Sequence, residues 1–413
     1  MSLTPQTGAN STYSPSSHAV DITTMPKIRG TWFFVDPYAG SNTADGLTPQ
    51  TAFADFQTGY AACTDKVGDG ICVLSAGSVS ADTTSYLKKA ITFSLNDVTV
   101  FGVCSGSGID NRARIASIAD IVTGPVTTIS QQAHSITRTT GSFITDGWIV
   151  GVTGYTADSG SNNGATFTIT AISTDGTVLT ISETFNAQSA GAVGSCTMTS
   201  YIAQLLTVSG ANNRFMNLQF WNAGTQAGAL GGIVITAARN TFINCHIAGG
   251  TGCTATANER SLELGIGAIA NLFQDCIIGE DTTNRGNNAN CELYLNGNTS
   301  MGRNRFRGCL FLSYADGGTA HGAIKSAGAS SVGRNLIFEN CIFENYRPNL
   351  GADMASLFIG TALTTAKILI AGSSSILGYA ALDSTIGNHC VYGSMAVPTA
   401  KTSLSGVAVT YQA

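Results

Sequence analysis

The fold is decided by a short stretch that reads Asn240-Thr241-Phe242-Ile243-Asn244-Cys245-His246-Ile247. The same pattern recurs in five copies, which begin at Asn213, Asn240, Asn271, Asn304 and Asn335. Measured at the Leu or Cys position, successive copies are 27, 31, 33 and 32 residues apart. A nearly regular period of this length indicates a repeat architecture.

Each copy has the pattern of two short strands joined by a bend. The run Phe-x-Asn alternates like one strand, and Cys-x-Ile or Cys-x-Phe alternates like the next. Between them stand residue types that tolerate a left-handed backbone, namely Asn217, Asn244, Asp275, Gly308 and Asn340. A bend there shifts the alternation by one residue, so the Phe, the Leu or Cys and the final Phe or Ile all point to one side.

Stacking these units predicts a parallel β-helix in which like residues lie over one another about 4.8 Å apart. One interior stack is predicted for Phe215, Phe242, Phe273, Phe306 and Phe338, and another for Cys245, Cys276, Cys309 and Cys341. The asparagines that open the five copies suit a ladder of side-chain amides at a turn. A β-sandwich is the alternative, although its strands need not keep both spacing and identity. The Leu-x-x-Leu-x-Leu core of leucine-rich repeats is absent.

The composition agrees with stacked strands and tight turns. The chain has 413 residues, 48 glycines, 11% charged residues and a net charge of −5. A negative chain is not expected to bind nucleic acid. No apolar run reaches the roughly 18 residues of a membrane span, and the first residues have no basic region followed by an apolar core, so we expect no secretory signal.

The cysteines and histidines do not predict a metal site. Four of the eleven cysteines occupy one inward repeat position, where Cys behaves as a small hydrophobe. We interpret them as free thiols in a reducing compartment, with disulfides as the alternative. No Cys-x-x-Cys occurs. Surface or turn positions are expected for the five histidines, His18, His134, His246, His321 and His389.

The chain divides into five regions. An N-terminal Ser/Thr/Pro-rich arm covers residues 1–29, and it is either disordered or orders against a neighbour, which we favour. Residues 30–135 hold the first rungs and a capping helix, residues 136–202 an insertion, residues 203–385 the main rungs, and residues 386–413 a tail. Thr48 and Pro49 predict the start of the helix, which would run to about Ala62 with Phe53, Phe56 and Tyr60 on one face.

The insertion interrupts the rung pattern with cleanly alternating runs. Turns at Asn163-Gly164 and Asp175-Gly176 separate these runs, as in antiparallel hairpins. We therefore predict a small β-barrel with its own core, and it also resembles a module recurrent in phage structural proteins. The insertion is either an outward-facing knob that meets a partner or a decorated loop without one.

A family resemblance becomes specific near the start of the chain. The residues that carry it are Phe34-Val-Asp36-Pro, Gly40-Ser, Asp45-Gly46-Leu-Thr-Pro49, Ala52-Phe53 and Gly68-Asp69-Gly70-Ile-Cys-Val-Leu74. This segment resembles the opening of right-handed parallel β-helix proteins of the pectate-lyase-like group, a version common among virion proteins of tailed bacteriophages. The resemblance implies an all-β, right-handed coil. It also implies a homotrimer of the tailspike, fibre or head-decoration type.

Glycan cleavage is the chemistry to test first, since many β-helix spikes perform it. Hydrolysis needs two carboxylates about 5–5.5 Å apart for retention or about 6.5–9.5 Å apart for inversion. The candidates are Glu263 and Glu292 on neighbouring rungs, and Glu259, Glu280, Asp281 and Asp316 in the loops. Glu263 stands between two leucines and should point outward, in a solvated column continued by Tyr294, Lys325 and Phe358.

Lyase chemistry would need clustered calcium ligands and an arginine base. Glu280, Asp281 and Arg285 are close in sequence, but they stand in an Asn/Gly-rich loop where solvated side chains are expected. The loops are poor in Trp and Tyr, which a sugar groove would use. We therefore assign no catalytic, cofactor-binding or metal-binding residue and expect no cofactor.

The sequence thus favours a non-enzymatic structural protein of the phage virion, assembled in the host cytoplasm. The expected form is a trimeric capsid decoration or head-fibre protein that reinforces the shell or binds surfaces. Its expected partners are sister chains, the major capsid protein or other virion proteins through residues 1–29, and host surface glycan. The alternative is a tailspike with receptor-binding or depolymerase activity. A host-encoded adhesin or lyase is disfavoured by the missing signal peptide.

Overall fold

Three long parallel β-sheets form the body of the protein in a computed structural model. The structure describes residues 25–74, 84–87, 89–103, 112–117, 120–126, 128–157, 159–193, 195–224, 228–250, 258–285, 289–315, 320–346, 353–364, 368–383 and 390–392. The sequence regions 1–24 and 393–413 therefore lie outside the described residues, and with them most of the predicted arm and tail.

The strands fall into three groups along the chain. The first rungs contain β1 Trp32–Val35, β2 Gly70–Leu74, β3 Thr84–Leu87, β4 Ile91–Phe93, β5 Thr99–Val103 and β6 Ala113–Ser117. An antiparallel unit contains β7 Val122–Val126, β8 Ile129–Gln132, β9 Ser135–Arg138, β10 Thr153–Ala157, β11 Thr166–Ile172, β12 Val178–Ile181 and β13 Cys196–Tyr201. The main rungs contain β14 Gln204–Val208, β15 Arg214–Met216, β16 Leu218–Trp221, β17 Gly231–Ile235, β18 Thr241–Ile243, β19 His246–Ala248, β20 Arg260–Gly265, β21 Leu272–Gln274, β22 Ile277–Gly279, β23 Cys291–Asn296, β24 Arg305–Arg307, β25 Leu310–Ser313, β26 Ile324–Ser326, β27 Leu336–Glu339, β28 Ile342–Asn345, β29 Met354–Gly360, β30 Ile368–Ala371, β31 Ser375–Leu377, β32 Tyr379–Asp383 and β33 Cys390–Tyr392.

Each complete rung of the coil contributes one strand to each sheet, and β1 and β33 are additional strands at the two ends of sheet A. Sheet A runs β1-β2-β5-β15-β18-β21-β24-β27-β30-β33, sheet B runs β3-β6-β16-β19-β22-β25-β28-β31, and sheet C runs β4-β14-β17-β20-β23-β26-β29-β32. The chain passes from C to A to B and returns to C through a longer loop. The protein is a right-handed parallel β-helix, as predicted.

The phenylalanines form the predicted interior stack. Neighbouring rings from Phe215 to Phe338 lie 4.7, 5.0, 4.5 and 5.0 Å apart between centroids, and all five are fully buried. The cysteines form a second column, in which each thiol donates to the carbonyl of a phenylalanine one rung earlier, for example Cys276 Sγ to Phe242 O at 3.4 Å. Free, buried thiols are found at eight cysteines: Cys63, Cys72, Cys196, Cys245, Cys276, Cys291, Cys309 and Cys341. Stacking of identical side chains explains why the sequence repeats them.

The bends between sheets A and B are left-handed, also as predicted. The φ angles are 57° at Asn217, 51° at Asn244, 53° at Asp275, 62° at Gly308 and 54° at Asn340. Asn and Asp tolerate this backbone better than other side chains do, and Gly adopts it without a steric penalty. One residue per rung therefore turns the chain and keeps both flanking strands facing the core.

The amide ladder exists for four of its five predicted members. The side-chain oxygens of Asn240, Asn271 and Asn304 each accept a hydrogen bond from the ladder asparagine N–H of the rung before, at 2.8–3.0 Å. The prediction for Asn335 is wrong, since this residue is exposed. The extra residue of the last copy shifts the register by one residue. Arg305 therefore pairs with Ile337 and not with Leu336. Leu336, fully buried, takes the ladder position instead.

A short helix covers the N-terminal end of the coil. The predicted helix from residue 49 to about Ala62 is divided into a 3₁₀ turn, Pro49–Thr51, and an α-helix, α1, Phe56–Ala62. Thr48 caps the turn as predicted. Asp55 interrupts the run because its carboxylate accepts from Thr58 N at 2.7 Å and starts the α-helix. Phe56 is fully buried against the first rungs, so the helix closes the core.

The antiparallel unit has its own sheet and its own core. Its strands are ordered β7-β13-β10-β11-β12-β9-β8, with a 3₁₀ turn Gly160–Asn162 and a short helix, α2, Ala190–Val193. Phe143, Trp148 and Phe167 lie at the centre of a cluster separate from that of the coil. The strands begin at Val122, earlier than residue 136, where the sequence placed the start of the insertion.

The coil also extends beyond its predicted end. Strand β33 pairs with β30 in sheet A through Ile368 and Cys390, although the sequence assigned residues 386–413 to a tail. The short apolar run at Cys390–Tyr392 is a further rung position.

Candidate functional site

The outer face of sheet C carries the charged column that the sequence singled out. Glu263 pairs in register with Tyr294, and Tyr294 pairs with Lys325. The next member is Ile359, not Phe358 as predicted. Phe358 pairs with Ile324 and is fully buried in the core. The error arises because β29 is longer than the strands before it, so its inward positions cannot be read from spacing alone.

Glu263 is held inside a polar layer and is not solvated. It is only 5% exposed. Its carboxylate accepts from Arg260 Nε at 2.6 Å and from Asn296 Nδ2 at 2.8 Å. An outward strand position is therefore buried here, because long neighbouring side chains cover it.

Tyr294 stands between two cations on this face. Arg260 lies 5.3 Å from its ring centroid and Lys325 Nζ 5.9 Å. Lys325 Nζ also donates to Asn258 Oδ1 at 2.6 Å and to Ala289 O at 2.7 Å, on the loops of earlier rungs. Partial burial raises the pKa of Tyr294. Burial, with repulsion from Arg260, lowers the pKa of Lys325. The arrangement is a ring with a positive group on each side, on the surface of the coil.

Behind this face lies a fully buried ion pair that links three rungs. Arg285 Nη2 is 3.0 Å from Glu292 Oε2, and both side chains are 0% exposed. Arg285 Nη1 donates to Gly249 O at 2.8 Å and to Gly250 O at 2.9 Å. Ser261 Oγ donates to Glu292 Oε2 at 2.7 Å. The sequence expected Arg285 in a solvated loop, and that expectation is wrong.

Arg285 is buried at a place where the stacked loops leave backbone carbonyl groups that need hydrogen-bond donors. Gly250 has φ 65°, which turns its backbone so that its carbonyl meets Arg285. Burial raises the pKa of the Glu292 carboxyl, and Arg285 opposes that shift. A guanidinium with five donors can satisfy both the carboxylate and the loop carbonyls. The pair therefore fixes the loops of successive rungs to one another.

Two of the other four loop carboxylates, Glu259 and Glu280, are also held within the chain. Glu259, fully buried, accepts from Asn290 Nδ2 at 3.0 Å. Glu280, 1% exposed, accepts from Thr282 N at 2.8 Å and from the Thr282 hydroxyl. Asp281 is exposed, and Asp316 lies outside the described residues. Among the described residues, Glu259, Glu263, Glu280 and Glu292 each serve as acceptors for donors of this chain, and none is paired with another carboxylate on an open surface.

Two of the histidines are buried, contrary to the sequence expectation. His246 is bonded to Gln219 Nε2 at 2.8 Å and to Gly279 O at 2.8 Å. His321 is fully buried, and neither ring nitrogen has a hydrogen-bond partner in the described structure. Burial lowers the pKa of His321 to about 3, and Arg285 adds to that shift. His134 is exposed as expected, while His18 and His389 lie outside the described residues.

Neither a cluster of metal-binding side chains nor a membrane-spanning helix occurs in the segments that are described. Among them, no three His, Cys, Asp or Glu side chains are grouped to hold a metal ion. Their helices are also too short and polar to cross a membrane.

The coil is similar to solved structures at low sequence identity. Pectate lyase Pel9A matches with a TM-score of 0.43 and 12% identity, over 90% of this chain and 78% of that chain. Pectin methylesterase PemA from Erwinia chrysanthemi matches with a TM-score of 0.37 and 10% identity, over 89% and 82%. The Gp54 tailspike of Acinetobacter baumannii bacteriophage AP22, in complex with capsular saccharide, matches with a TM-score of 0.19 and 11% identity, over 78% and 68%. No family model and no curated protein matches the sequence. At these values the similarity concerns the type of fold alone.

Proposed function

We propose that this chain is a non-enzymatic structural protein of a tailed-bacteriophage virion, of the capsid decoration or head-fibre type. In this role the coil acts as a stiff element that is displayed on the particle or reinforces its shell. Sheet A alone holds ten strands, which at about 4.8 Å per rung gives a rod on the order of 40 Å long. The resemblance of residues 34–74 to the opening segment of virion β-helices favours this setting.

The observation that carries the proposal is the way the coil uses its carboxylates. Glycosidases need one carboxylic acid and one carboxylate facing the same open cleft. Here Glu263 is neutralised by Arg260 and Glu292 by Arg285, and both are buried. Such side chains hold the rungs together and have no surface left for a substrate.

Four experiments test the proposal. Purified protein is incubated with capsular polysaccharide and lipopolysaccharide glycans, and the products are separated by mass; we expect no oligosaccharides. Release of defined oligosaccharides would overturn the non-enzymatic part. Labelling the protein on intact virions for electron microscopy locates it, and we expect it on the particle surface. Cross-linking in solution tests the proposed homotrimer, and deletion of residues 1–29 tests the proposed attachment of the arm to the capsid protein.

Binding of a glycan without cleavage, as by a receptor-binding tailspike, is the second candidate function. The observation that favours it is Tyr294, a half-buried ring on the outer face of sheet C with Arg260 and Lys325 beside it. Aromatic rings bind sugar faces, and the two cations would favour acidic sugars. Replacing Tyr294→Ala should then weaken glycan binding, whereas Tyr38→Ala, at an exposed ring far away in sequence, should not. Equal binding by both variants excludes this site.

A further inference from the structure

Five arginines lie at the turn from sheet C to sheet A and on the outer face of the sheet A strand β24. This arginine strip consists of Arg239, Arg303, Arg305, Arg307 and Arg334. Arg239 N donates to Ile269 O at 2.9 Å, and Ala270 N donates to Gly302 O at 3.0 Å. Arg239 and Arg303 thus occupy equivalent turn positions two rungs apart, which is about 10 Å along the axis. Arg303 N donates to Asn335 O at 2.8 Å, so Arg334 belongs to the next rung.

Only part of the strip is neutralised within the chain. Arg305 Nη2 is 2.7 Å and Arg307 Nε 3.0 Å from Glu339 Oε2. Arg239 Nε donates to the neutral amide oxygen of Asn212 at 2.9 Å. The side chains of Arg303 and Arg334 are exposed, and neither has a hydrogen bond or ion pair with any described residue.

The strip is unusual in a protein whose net charge is −5. It places five guanidinium groups beside one carboxylate, that of Glu339. Asp275, the acidic residue that follows strand β21 of sheet A, lies at the bend between sheets A and B and accepts from Gln274 Nε2 at 3.2 Å. Like charges on adjacent strands are destabilising. Stability of the coil therefore does not explain why Arg303 and Arg334 stand on neighbouring rungs without an acid between them.

We propose that the arginine strip docks an acidic segment of a partner protein. Glu339 shows within this chain how the strip binds a carboxylate, because its side chain accepts hydrogen bonds from Arg305 and Arg307. Arg303, Arg334 and Arg239 offer the same kind of donor at the adjoining turn from sheet C to sheet A, without an acid of their own. All five cations are arginines, and the planar guanidinium fork matches a carboxylate better than a lysine does.

The neighbouring side chains favour protein over other polyanions. The outward residues between the arginines are Thr241, Ala270, Leu272 and Ile337, and none is aromatic. Single-stranded nucleic acid is normally held by aromatic rings on which its bases stack. Protein interfaces are enriched in Arg, and their rims are polar and solvent-accessible, as these exposed side chains are.

The proposal deepens the proposed function, since an acidic segment of another virion protein is the partner expected there. Its test uses the full chain and does not depend on virions. Binding of a fluorescent poly-glutamate peptide is measured by anisotropy over a series of salt concentrations, beside an alginate and an oligo-thymidylate. The variant is Arg303→Gln with Arg334→Gln, and the matched control is Lys27→Gln, an exposed cation elsewhere.

The double variant should bind the peptide about three- to thirtyfold more weakly and with a smaller salt dependence, while Lys27→Gln should bind as the wild type does. Both arginines are exposed, so the variant should melt at the wild-type temperature. Unchanged peptide binding by the double variant overturns the proposal, as does tighter binding of alginate or oligo-thymidylate than of the peptide. Glycan cleavage in the earlier assay would overturn the proposed function and leave this result unaffected.

Discussion

Arg285 and Glu292 form a salt bridge of 3.0 Å in which neither side chain has any exposed surface. The guanidinium also donates to two loop carbonyls, and the carboxylate also accepts from Ser261. Side chains and backbone carbonyls from successive rungs therefore meet around one pair of charges. This contact explains how loops rich in Gly and Asn keep a defined stacking on the outside of the coil.

Removing one member of this pair should destabilise the protein strongly. Glu292→Ala leaves the Arg285 guanidinium buried without its counter-charge, which costs about 3–5 kcal/mol. The measurement is the midpoint of unfolding in urea. Asp281→Ala removes an exposed carboxylate from the same loop and should change the free energy of unfolding by less than about 0.5 kcal/mol. Equal midpoints for the two variants would contradict the structural role of the pair.

His321 should make the protein sensitive to acid. Its pKa is lowered to about 3 in the fold, from an ordinary value of 6.5. Above pH 6.5 the ring is neutral in both the folded and the unfolded chain, so it does not affect stability. Between pH 6.5 and about 3 the unfolded chain binds the proton and the folded chain does not. The contribution of His321 to the free energy of unfolding therefore falls by up to about 1.4 kcal/mol per pH unit.

The check is a comparison of unfolding midpoints across that pH range for three proteins. His321→Gln should lose less stability on acidification than the wild type does. His134→Gln, at an exposed site, should follow the wild type. If His321→Gln and the wild type lose stability in parallel, the acid response arises elsewhere.

The amide ladder offers a test with a built-in control. Asn271 is 1% exposed, and its side chain accepts from Asn240 N at 2.8 Å and donates to Ala237 O at 3.1 Å. Asn271→Ala leaves that N–H and that carbonyl buried without partners, at a cost of about 1–3 kcal/mol. Asn335→Ala changes the residue that the sequence places in the same ladder but that the structure places in solvent, and it should be nearly neutral. Comparable losses in thermal unfolding would restore Asn335 to the ladder.

Truncating the phenylalanine stack should destabilise the protein about as strongly as breaking the buried ion pair. Phe273 is fully buried between Phe242 and Phe306, at 5.0 and 4.5 Å between ring centroids. Phe273→Ala removes both ring contacts and leaves a cavity, with an expected loss of about 3–5 kcal/mol in the free energy of unfolding. Phe273→Leu refills much of the volume and should lose less. The idea of a continuous stack fails if the Ala and Leu variants unfold at the wild-type midpoint.

Much of the coil could be predicted from the sequence because its core is repetitive. Parallel rungs place equivalent residues over one another, so Phe, Cys and the left-handed Asn had to recur at the same spacing. Because of that physical requirement, the strands of sheets A and B could be predicted from the sequence. The sequence erred where one residue was inserted, at Asn335 and Leu336, and where a strand was longer than its neighbours, at Phe358 and Ile359.

The polar surface could not be predicted in the same way. Alternation places Glu263 on the outside, and the loop composition places Arg285 in solvent, yet the structure buries both. Whether an outward side chain is covered depends on the neighbouring rungs, which are about thirty residues away in sequence. The sequence by itself therefore determined the coil, because its interior requires repetition. Only the tertiary structure decided which charges are paired inside the protein and which, like Arg303 and Arg334, face outward, because those partners come from rungs that local patterns do not connect.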